Sequence, residues 1–201
     1  MTEYPREVLE RQASTPEQMA AGLVGEWPRG RAPIVVVDPD PSWPGRYDQF
    51  AATIRRALGD RILALEHVGS TSVPGLPAKP IIDIDVIVDD TEGEAAYLPA
   101  LEAAGYRLIL REPWWQGHRM LIDDVEDLHL HVWPRGAAEP VRHRLFRDWL
   151  RTHPTDRALY AGVKQRLAVT TAERPEDYNL AKNDVIDQIF ERIFAAAAKA
   201  D

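Results

Sequence analysis

Apolar and charged side chains alternate between Ile81 and Val88, which is the clearest pattern in the chain. A period of two predicts a β-strand, because successive side chains of a strand point to opposite faces of the sheet. Asp83 and Asp85 therefore share one face, and the other face carries Ile82, Ile84, Val86 and Val88. A strand this apolar is typical of the centre of a sheet, where polar positions line a site.

Hydrophobic spacing elsewhere predicts a mixture of strands and helices. Further strands are predicted at residues 34–37, 62–67, 106–110, 119–122 and 128–133. Helices are predicted at 45–58 and 92–104, and in segments near 139–151, 155–171 and 175–198. Gly105 is expected to end the second of these helices. Strands mixed with helices and followed by a helical tail indicate the α+β class.

The N-terminal residues 1–30 are predicted to form a helical extension and linker, outside a core domain of residues 31–201. Thr15 and Gln18 have the spacing of a capping box, and Pro16 suits the first turn of a helix that ends near Leu23. The linker is predicted from Gly25, Pro28, Gly30 and Pro33. A lid, a dimer contact and a simple tail are all compatible with this extension.

The composition is typical of a soluble globular protein. The 201 residues are 45% hydrophobic and 28% charged, which suits one well-buried core. No apolar run approaches the length of a membrane span, and the first residues lack the pattern of a signal peptide. The absence of cysteine excludes disulfides and thiolate zinc sites. We therefore expect a cytoplasmic protein without a membrane partner.

The formal net charge of -8 argues against a protein that coats nucleic acid, because neutralising phosphates requires a basic surface. One basic stretch stands out, formed by Arg142, His143, Arg144, Arg147 and Arg151. It fits either a solvated helix face or a contact with tRNA or polyphosphate.

Gly69 and Ser70 precede Asp83 by a twelve-residue interval and form a second candidate feature. A triphosphate can approach a backbone closely where no Cβ intervenes, and its oxygens need N–H and hydroxyl donors. Two neighbouring carboxylates repel each other unless a hard cation such as Mg²⁺ binds them and shares its coordination with substrate phosphates. This order of a Gly-Ser turn and Asp83-Ile84-Asp85 resembles the signature of the nucleotidyltransferase superfamily.

The connecting loop narrows the resemblance to the GrpB family, a largely uncharacterised branch of that superfamily. The similar segments, spread over roughly residues 33 to 199, are His67-Val-Gly-Ser-Thr-Ser-Val-Pro-Gly-Leu76, Ala78-Lys-Pro-Ile-Ile-Asp-Ile84, His129-Leu-His-Val132, Phe146-Arg-Asp-Trp-Leu-Arg151, Tyr160 with Lys164, and Tyr178 with Lys182. The resemblance implies a nucleotidyltransferase-like mixed β-sheet core with helices and a C-terminal helical tail. It also implies a nucleotide site, without naming a reaction.

His129 and His131 share a strand face with Asp127 and Trp133, where the superfamily usually carries a third carboxylate. Imidazole can act as a base or bind a transition metal, so Mn²⁺ or Zn²⁺ is expected alongside Mg²⁺ as a candidate. The four metal candidates are Asp83, Asp85, His129 and His131, and the catalytic candidates are Asp83, Asp85 and His131. Two hydrogen-bonded histidines on a half-buried strand are the structural alternative.

Cationic and polar residues elsewhere are candidates for holding the nucleotide. The phosphate-binding set is predicted to be Gly69, Ser70, Thr71, Lys79, Tyr178 and Lys182. Tyr178 and Lys182 lie one helical turn apart, so both can face one ligand. The weaker candidates are His67, Lys164, and Arg119 in an aromatic cluster with Trp114, Trp115 and His118.

Three functions are compatible with these residues. The first is a transferase that moves a nucleotidyl group from ATP or another nucleoside triphosphate to a small-molecule or RNA acceptor, with tRNA as one candidate. The second is a non-catalytic nucleotide-binding module, because the third carboxylate is missing. The third is a metal-dependent phosphohydrolase or ligase that uses the same pocket.

Overall fold

The computed structural model describes residues 4–27 and 33–199, so Pro28 and Gly30 of the predicted linker lie outside the described residues. Its centre is a five-stranded sheet in the order β1-β2-β5-β4-β3. The strands are β1 (Ala64–Val68), β2 (Ile82–Val88), β3 (Arg107–Glu112), β4 (His118–Ile122) and β5 (Leu128–Pro134). Strands β2 and β5 are parallel, and the other neighbours are antiparallel. The mixed sheet confirms the α+β class, and β2 is an interior strand as its apolar pattern predicts.

The helices flank the sheet and continue into the tail. They are α1 (Arg6–Leu9), α2 (Pro16–Gly22), α3 (Trp43–Leu58), α4 (Leu98–Ala103), α5 (Glu139–Thr152), α6 (Pro154–Thr170), α7 (Pro175–Ala181) and α8 (Asn183–Ala197). Short 3-10 turns lie at Gly59–Arg61, Ser70–Ser72 and Glu94–Ala96. Among the described residues, no helix is long and apolar enough to cross a membrane.

The two largest apolar clusters of the described residues lie on either side of the polar side chains of the sheet. The larger cluster joins one face of the sheet to α3 and α4, with Ile54, Leu58, Ile84 and Leu101 fully buried. The smaller cluster holds the helical tail together through Leu76, Leu150, Tyr160, Ile189 and Phe190. Because side chains alternate along β2 and β5, the apolar set turns to the larger cluster and the polar set turns to the tail. The polar face of the sheet therefore lies opposite α6, α7 and α8.

The predicted strand at residues 34–37 is wrong. Val37 makes only an isolated bridge to Ala78, and Val35 is 55% exposed. Ile34 instead packs with Ala168 and Tyr178 of the tail, and its N–H donates to the carbonyl of Ala172 at 2.8 Å. A β-branched run favours extended backbone, but it does not specify a pairing partner.

Two predicted helices are interrupted. The one at 92–104 begins as a turn in which Asp90 accepts hydrogen bonds from the backbone N–H groups of Glu92 and Gly93, and α4 starts only at Leu98. Gly105 has a φ of 92° and ends this segment as predicted. The helix predicted at 175–198 breaks at Lys182, which caps the end of α7 and the start of α8. The break places Lys182 at a corner of the tail instead of on a straight helix.

The N-terminal segment packs along the sheet edge and reaches the helical tail. The predicted capping box is confirmed, since Thr15 and Gln18 exchange hydrogen bonds at the start of α2. Leu23 bridges to Leu110 of β3, which covers an otherwise open sheet edge. At the other end, the Arg142 guanidinium donates to the carbonyl of Val8 at 2.6 Å. The division of the chain at residue 30 stays a prediction.

Candidate metal and nucleotide site

The Gly69–Ser70 turn lies directly against the β2 carboxylate. Gly69 has a φ of 67°, and a Cβ at this position would lie 2.2 Å from Asp83 Oδ2. Glycine is therefore required for the conformation and for the close approach. The Thr71 hydroxyl donates to the carbonyl of Ile81 at 3.1 Å and accepts from His67 Nε2 at 3.1 Å, which ties the turn to the start of β2.

Parallel pairing of β2 with β5 brings two histidines to Asp83. The register sets Asp83 beside His129 and Asp85 beside His131. Asp83 Oδ1 lies 3.4 Å from His129 Nδ1 and 3.7 Å from His131 Nε2. Those separations exceed ordinary hydrogen bonds, yet donor atoms of a tetrahedral site with bonds of about 2.1 Å lie about 3.4 Å apart. One ligand atom from each of the three residues lies within 4.8 Å of the others.

The chemistry of these donors fits a divalent transition metal. The donor set has one carboxylate oxygen and two imidazole nitrogens, and imidazole suits a transition metal such as Zn²⁺. The other nitrogen of His129, Nε2, is buried with Glu126 Oε1 3.5 Å away. Burial alone would raise the pKa of Asp83, but the adjacent imidazole of His129 outweighs it and lowers that pKa. Burial likewise opposes protonation of His129, but Asp83 and Glu126 raise its pKa. The carboxylate is thus ionised and balanced by its imidazole neighbours.

Asp85 does not join this cluster, which corrects the expectation that both carboxylates bind one ion. Its Oδ1 accepts from Trp133 Nε1 at 2.9 Å, and its Oδ2 accepts from His143 Nδ1 at 2.8 Å. The carboxylate is only 1% exposed, so both oxygens are committed. Burial lowers the pKa of His143, but the charge and hydrogen bond of Asp85 outweigh it and raise that pKa to about 9. Asp85 in this geometry orients an imidazolium.

Three lysines lie on the tail side of the same cleft. Lys182 Nζ is 4.5 Å from the centroid of the Tyr178 ring, and Lys79 Nζ is 5.8 Å from the same centroid. Lys164 Nζ donates to the carbonyl of Pro77 and lies 4.8 Å from the Tyr160 centroid. Burial lowers the pKa of Lys164 and of Lys182 to about 7, and mutual repulsion between the lysines adds to this effect. Binding of an anion among them would relieve that repulsion.

Two adjoining cavities of about 850 Å³ and about 390 Å³ form the cleft. The larger one contains Asp83, His129, His131 and the three lysines, and α2 supplies an apolar wall through Met19 and Leu23. The smaller one runs past His143 and Arg147 towards α8. Gly69, Ser70 and Lys182 line both cavities, so the turn stands at their junction.

Besides Asp85, three predicted residues lie outside the cleft lining. Arg119 donates to Glu94 Oε1 at 2.7 Å on the opposite face of the sheet, so its predicted place in an aromatic wall is wrong. It alternates with His118 along β4, and alternation separates the two side chains. His67 stacks on Tyr47 at a centroid distance of 4.7 Å beneath the turn. Thr71 is bonded beside it, so both residues support the turn instead of facing a ligand.

Sequence reasoning missed the partners of the two candidate strands. His143 was part of a basic stretch, and only the fold brings it to Asp85. His118 was grouped with neighbouring tryptophans, although Nε2 lies 3.0 Å from His131 Nδ1. Glu112 had no assigned role, yet its Oε2 lies 2.7 Å from His118 Nδ1. The alternation of His118 and Met120 along β4 was the one local signal that could have placed His118 on the polar face.

Comparison with known proteins identifies the family of the chain. A family model described as GrpB protein matches residues 33–192. The chain is 44% identical over 178 residues to the UPF0157 protein BH1888 of Halalkalibacterium halodurans, covering 89% of this chain and 91% of that protein. It is 30% identical over 161 residues to a protein named dephospho-CoA kinase of Mycolicibacterium paratuberculosis, covering 67% of this chain and 40% of that protein.

The fold has a solved counterpart. The crystal structure of conserved protein GrpB from Enterococcus faecalis superposes with a TM-score of 0.70 at 28% identity, covering 80% of this chain and 99% of that chain. The chain belongs to the GrpB family.

Proposed function

We propose that this protein is a metal-dependent nucleotidyltransferase of the cytoplasm. The observation that carries the proposal is the contact between the Gly69 backbone and Asp83, in a cleft that also holds three lysines. A nucleoside triphosphate, such as ATP, needs a metal to bind its phosphates and separate cations for the remaining charge. The cleft offers both kinds of group within one cavity.

The metal ligands are Asp83, His129 and His131. Asp83 Oδ1 lies 3.4 Å from His129 Nδ1 and 3.7 Å from His131 Nε2, between β2 and β5. A divalent ion there would neutralise phosphate charge and polarise the phosphorus–oxygen bonds. Two imidazoles and one carboxylate favour Mn²⁺ or Zn²⁺ over Mg²⁺, which prefers oxygen ligands. Asp83 keeps its second oxygen against the turn, which holds the metal site beside the phosphate site.

The phosphates would lie on the tail side of the turn. The Ser70 hydroxyl and the lysine Nζ atoms of residues 79, 164 and 182 are the donors that line this region. Lys182 sits at the junction of the two cavities, where it can neutralise the pyrophosphate that leaves during transfer. His143 is protonated near neutral pH and can donate a hydrogen bond to the same group.

The acceptor would enter from the side of α2. The wall that faces His129 and His131 is apolar, with Met19 and Leu23 and the edge residue Leu110. Such a wall suits a small molecule or an RNA end that presents a hydroxyl to the metal centre and packs an apolar or aromatic part beyond it.

One observation favours a non-catalytic nucleotide-binding module as a second candidate. Two-metal phosphoryl transfer needs several carboxylate oxygens, and Asp85 has both of its oxygens committed to Trp133 and His143. The imidazole-rich donor set also suits a metal-dependent phosphohydrolase or ligase. All three functions use the same pocket, so product analysis must separate them.

The test is a product screen with each nucleoside triphosphate in the presence of Mn²⁺, Zn²⁺ or Mg²⁺. The acceptors are a bacterial metabolite extract and a tRNA pool, and mass spectrometry follows pyrophosphate and new nucleotidyl adducts. Pyrophosphate with an adduct, lost in Asp83→Asn, supports the transferase. Binding without turnover identifies a module, and inorganic phosphate without an adduct identifies a phosphohydrolase.

A further inference from the structure

A buried chain of hydrogen bonds runs from Glu112 to the candidate metal ligand His131. Glu112 Oε2 lies 2.7 Å from His118 Nδ1, and His118 Nε2 lies 3.0 Å from His131 Nδ1. Glu112 is 6% exposed and His118 is 1% exposed, so water does not compete for these bonds. The three residues come from β3, β4 and β5, and antiparallel pairing sets them in a row across the sheet.

The ionised carboxylate determines the direction of every bond in this row. A carboxylate only accepts hydrogen bonds, so His118 must donate from Nδ1. His118 is 1% exposed and stacks on both Trp133 and His131, a site that disfavours a charged ring, so the ring carries one N–H. Its Nε2 must then accept, and His131 must donate from Nδ1. The remaining nitrogen of His131, Nε2, is left with a lone pair directed to the side of Asp83.

We propose that Glu112 and His118 are positioning residues that hold His131 in the Nδ1–H tautomer and present its Nε2 to a transition metal. Carboxylate–histidine pairs behind metal-bound imidazoles are common, because they set the tautomer and ring orientation of the ligand. Here the Glu112 carboxylate reaches the proposed ligand His131 through a second imidazole, that of His118. The inference rests on the proposed metal-dependent function, since the metal is the ligand that His131 would bind.

Packing holds the row rigid and gives the N-terminal segment a part in it. His118 stacks on Trp133 at a centroid distance of 4.2 Å, and Trp115 meets its edge at 4.9 Å. Above Glu112, a Cβ added to Gly22 of α2 would lie 3.1 Å from Glu112 Cγ. A larger residue at position 22 would press on Glu112, so α2 packs closely over the acidic end of the row.

The direct test needs no metal. Two-bond ¹H–¹⁵N NMR spectra of the metal-free protein report which ring nitrogen of His131 carries the proton, and His131→Gln identifies its signal. Burial raises the pKa of Glu112 to about 7, so the spectrum is recorded at about pH 8.5, where the carboxylate is ionised. We expect a single Nδ1–H tautomer. An Nε2–H tautomer would overturn the proposal.

Glu112→Gln supplies the second test. A glutamine amide can either accept or donate, so the preference for one tautomer should disappear, and affinity for Zn²⁺ and Mn²⁺ should fall by about 10- to 100-fold. Glu139→Gln is the matched control, because Glu139 is also 6% exposed beside the cleft and contacts His143 instead of the row. A tautomer and a Zn²⁺ affinity in Glu112→Gln equal to those of Glu139→Gln would overturn the inference.

The readouts separate this inference from the proposed function. An Nδ1–H tautomer in a protein that binds no Zn²⁺ or Mn²⁺ would support the row and contradict the metal-dependent function. Tight metal binding that is unaffected in Glu112→Gln would do the opposite. Thermal unfolding of each variant, followed by circular dichroism, shows that the compared proteins are folded.

Discussion

The Gly69 backbone lies so close to the Asp83 carboxylate that no side chain fits at position 69, because a Cβ there would lie 2.2 Å from Asp83 Oδ2. Gly69→Ala should therefore displace the carboxylate and abolish metal binding. The backbone, with φ of 67° and ψ of -172°, lies in a region that is essentially restricted to glycine, which adds a cost of about 1–3 kcal/mol in folding free energy. Calorimetric titration with Mn²⁺ and urea unfolding measure the two effects.

Gly75→Ala is the matched control for that substitution. Gly75 has a φ of 77°, and an added Cβ would meet nothing within 4 Å. Backbone strain should lower the free energy of unfolding of this control variant, and its metal affinity should be unchanged. If Gly69→Ala binds Mn²⁺ with the affinity of the wild-type protein, the close contact with Asp83 is not needed for the metal site.

The two aspartates of β2 should respond differently to the same substitution. Asp83→Asn removes a proposed ligand and should abolish metal-dependent nucleotide binding while the fold persists. Asp85→Asn weakens the buried hydrogen bond from His143 and should lower the free energy of unfolding by about 1–3 kcal/mol, with metal binding retained. Calorimetry with ATP and Mn²⁺ distinguishes them. Nucleotide binding that survives in Asp83→Asn would place the site elsewhere.

Lys182→Ala should weaken triphosphate binding more than monophosphate binding. Lys182 lies at the corner between α7 and α8 and lines the cavities with Gly69 and Ser70, so it is placed to meet the outer phosphates. Removing the charge should also reduce the salt dependence of ATP affinity, because one ionic contact is lost. Binding is measured for ATP and AMP over a range of salt concentrations.

Lys199→Ala controls for general surface charge, since Lys199 is exposed at the end of the chain. It should leave the binding of both nucleotides unchanged. Equal losses of ATP and AMP binding in Lys182→Ala would assign Lys182 to packing.

His67 should contribute to acid sensitivity. Burial lowers the pKa of His67 from 6.5 to about 4. Between these two pH values the imidazole is protonated in the unfolded chain and neutral in the native protein, so the unfolded state binds more protons. The free energy of unfolding should therefore decrease as pH decreases from 6.5 to 4. His67→Gln can still donate to the Thr71 hydroxyl and should show a shallower decline, measured by urea unfolding. If the free energy of unfolding falls equally with pH in the wild-type protein and in His67→Gln, His67 does not contribute to acid sensitivity.

The strands that carry the site could be predicted, but their pairing could not. Alternation along β2 and β5 correctly placed Asp83 on one face and His131 on another strand's polar face. That these strands are parallel neighbours depends on the whole sheet, which no local pattern encodes. The approach of His131 to Asp83 was expected on the family resemblance, whereas the bond from His143 to Asp85 joins residues 58 positions apart.

Local rules also explain the errors. Arg119 was grouped with His118 because they are adjacent in sequence, but adjacent residues of a strand face opposite ways. Residues 34–37 have strand propensity, but their apolar side chains find a partner in the tail and not in the sheet. Asp85 lies apart from the Asp83 cluster because Trp133 and His143 donate hydrogen bonds to both of its oxygens, whereas Asp83 lies beside the turn and the two strand histidines.

In the proposed function, Asp83, His129 and His131 bind one divalent metal beside the phosphates of a nucleotide. A crystal of the protein grown with Mn²⁺ and a non-hydrolysable ATP analogue tests it through anomalous scattering. We expect one manganese peak between Asp83 Oδ1, His129 Nδ1 and His131 Nε2, with the phosphates between that peak and Lys182 Nζ. A manganese peak on Asp85, or phosphates bound away from the Gly69–Ser70 turn, would contradict it.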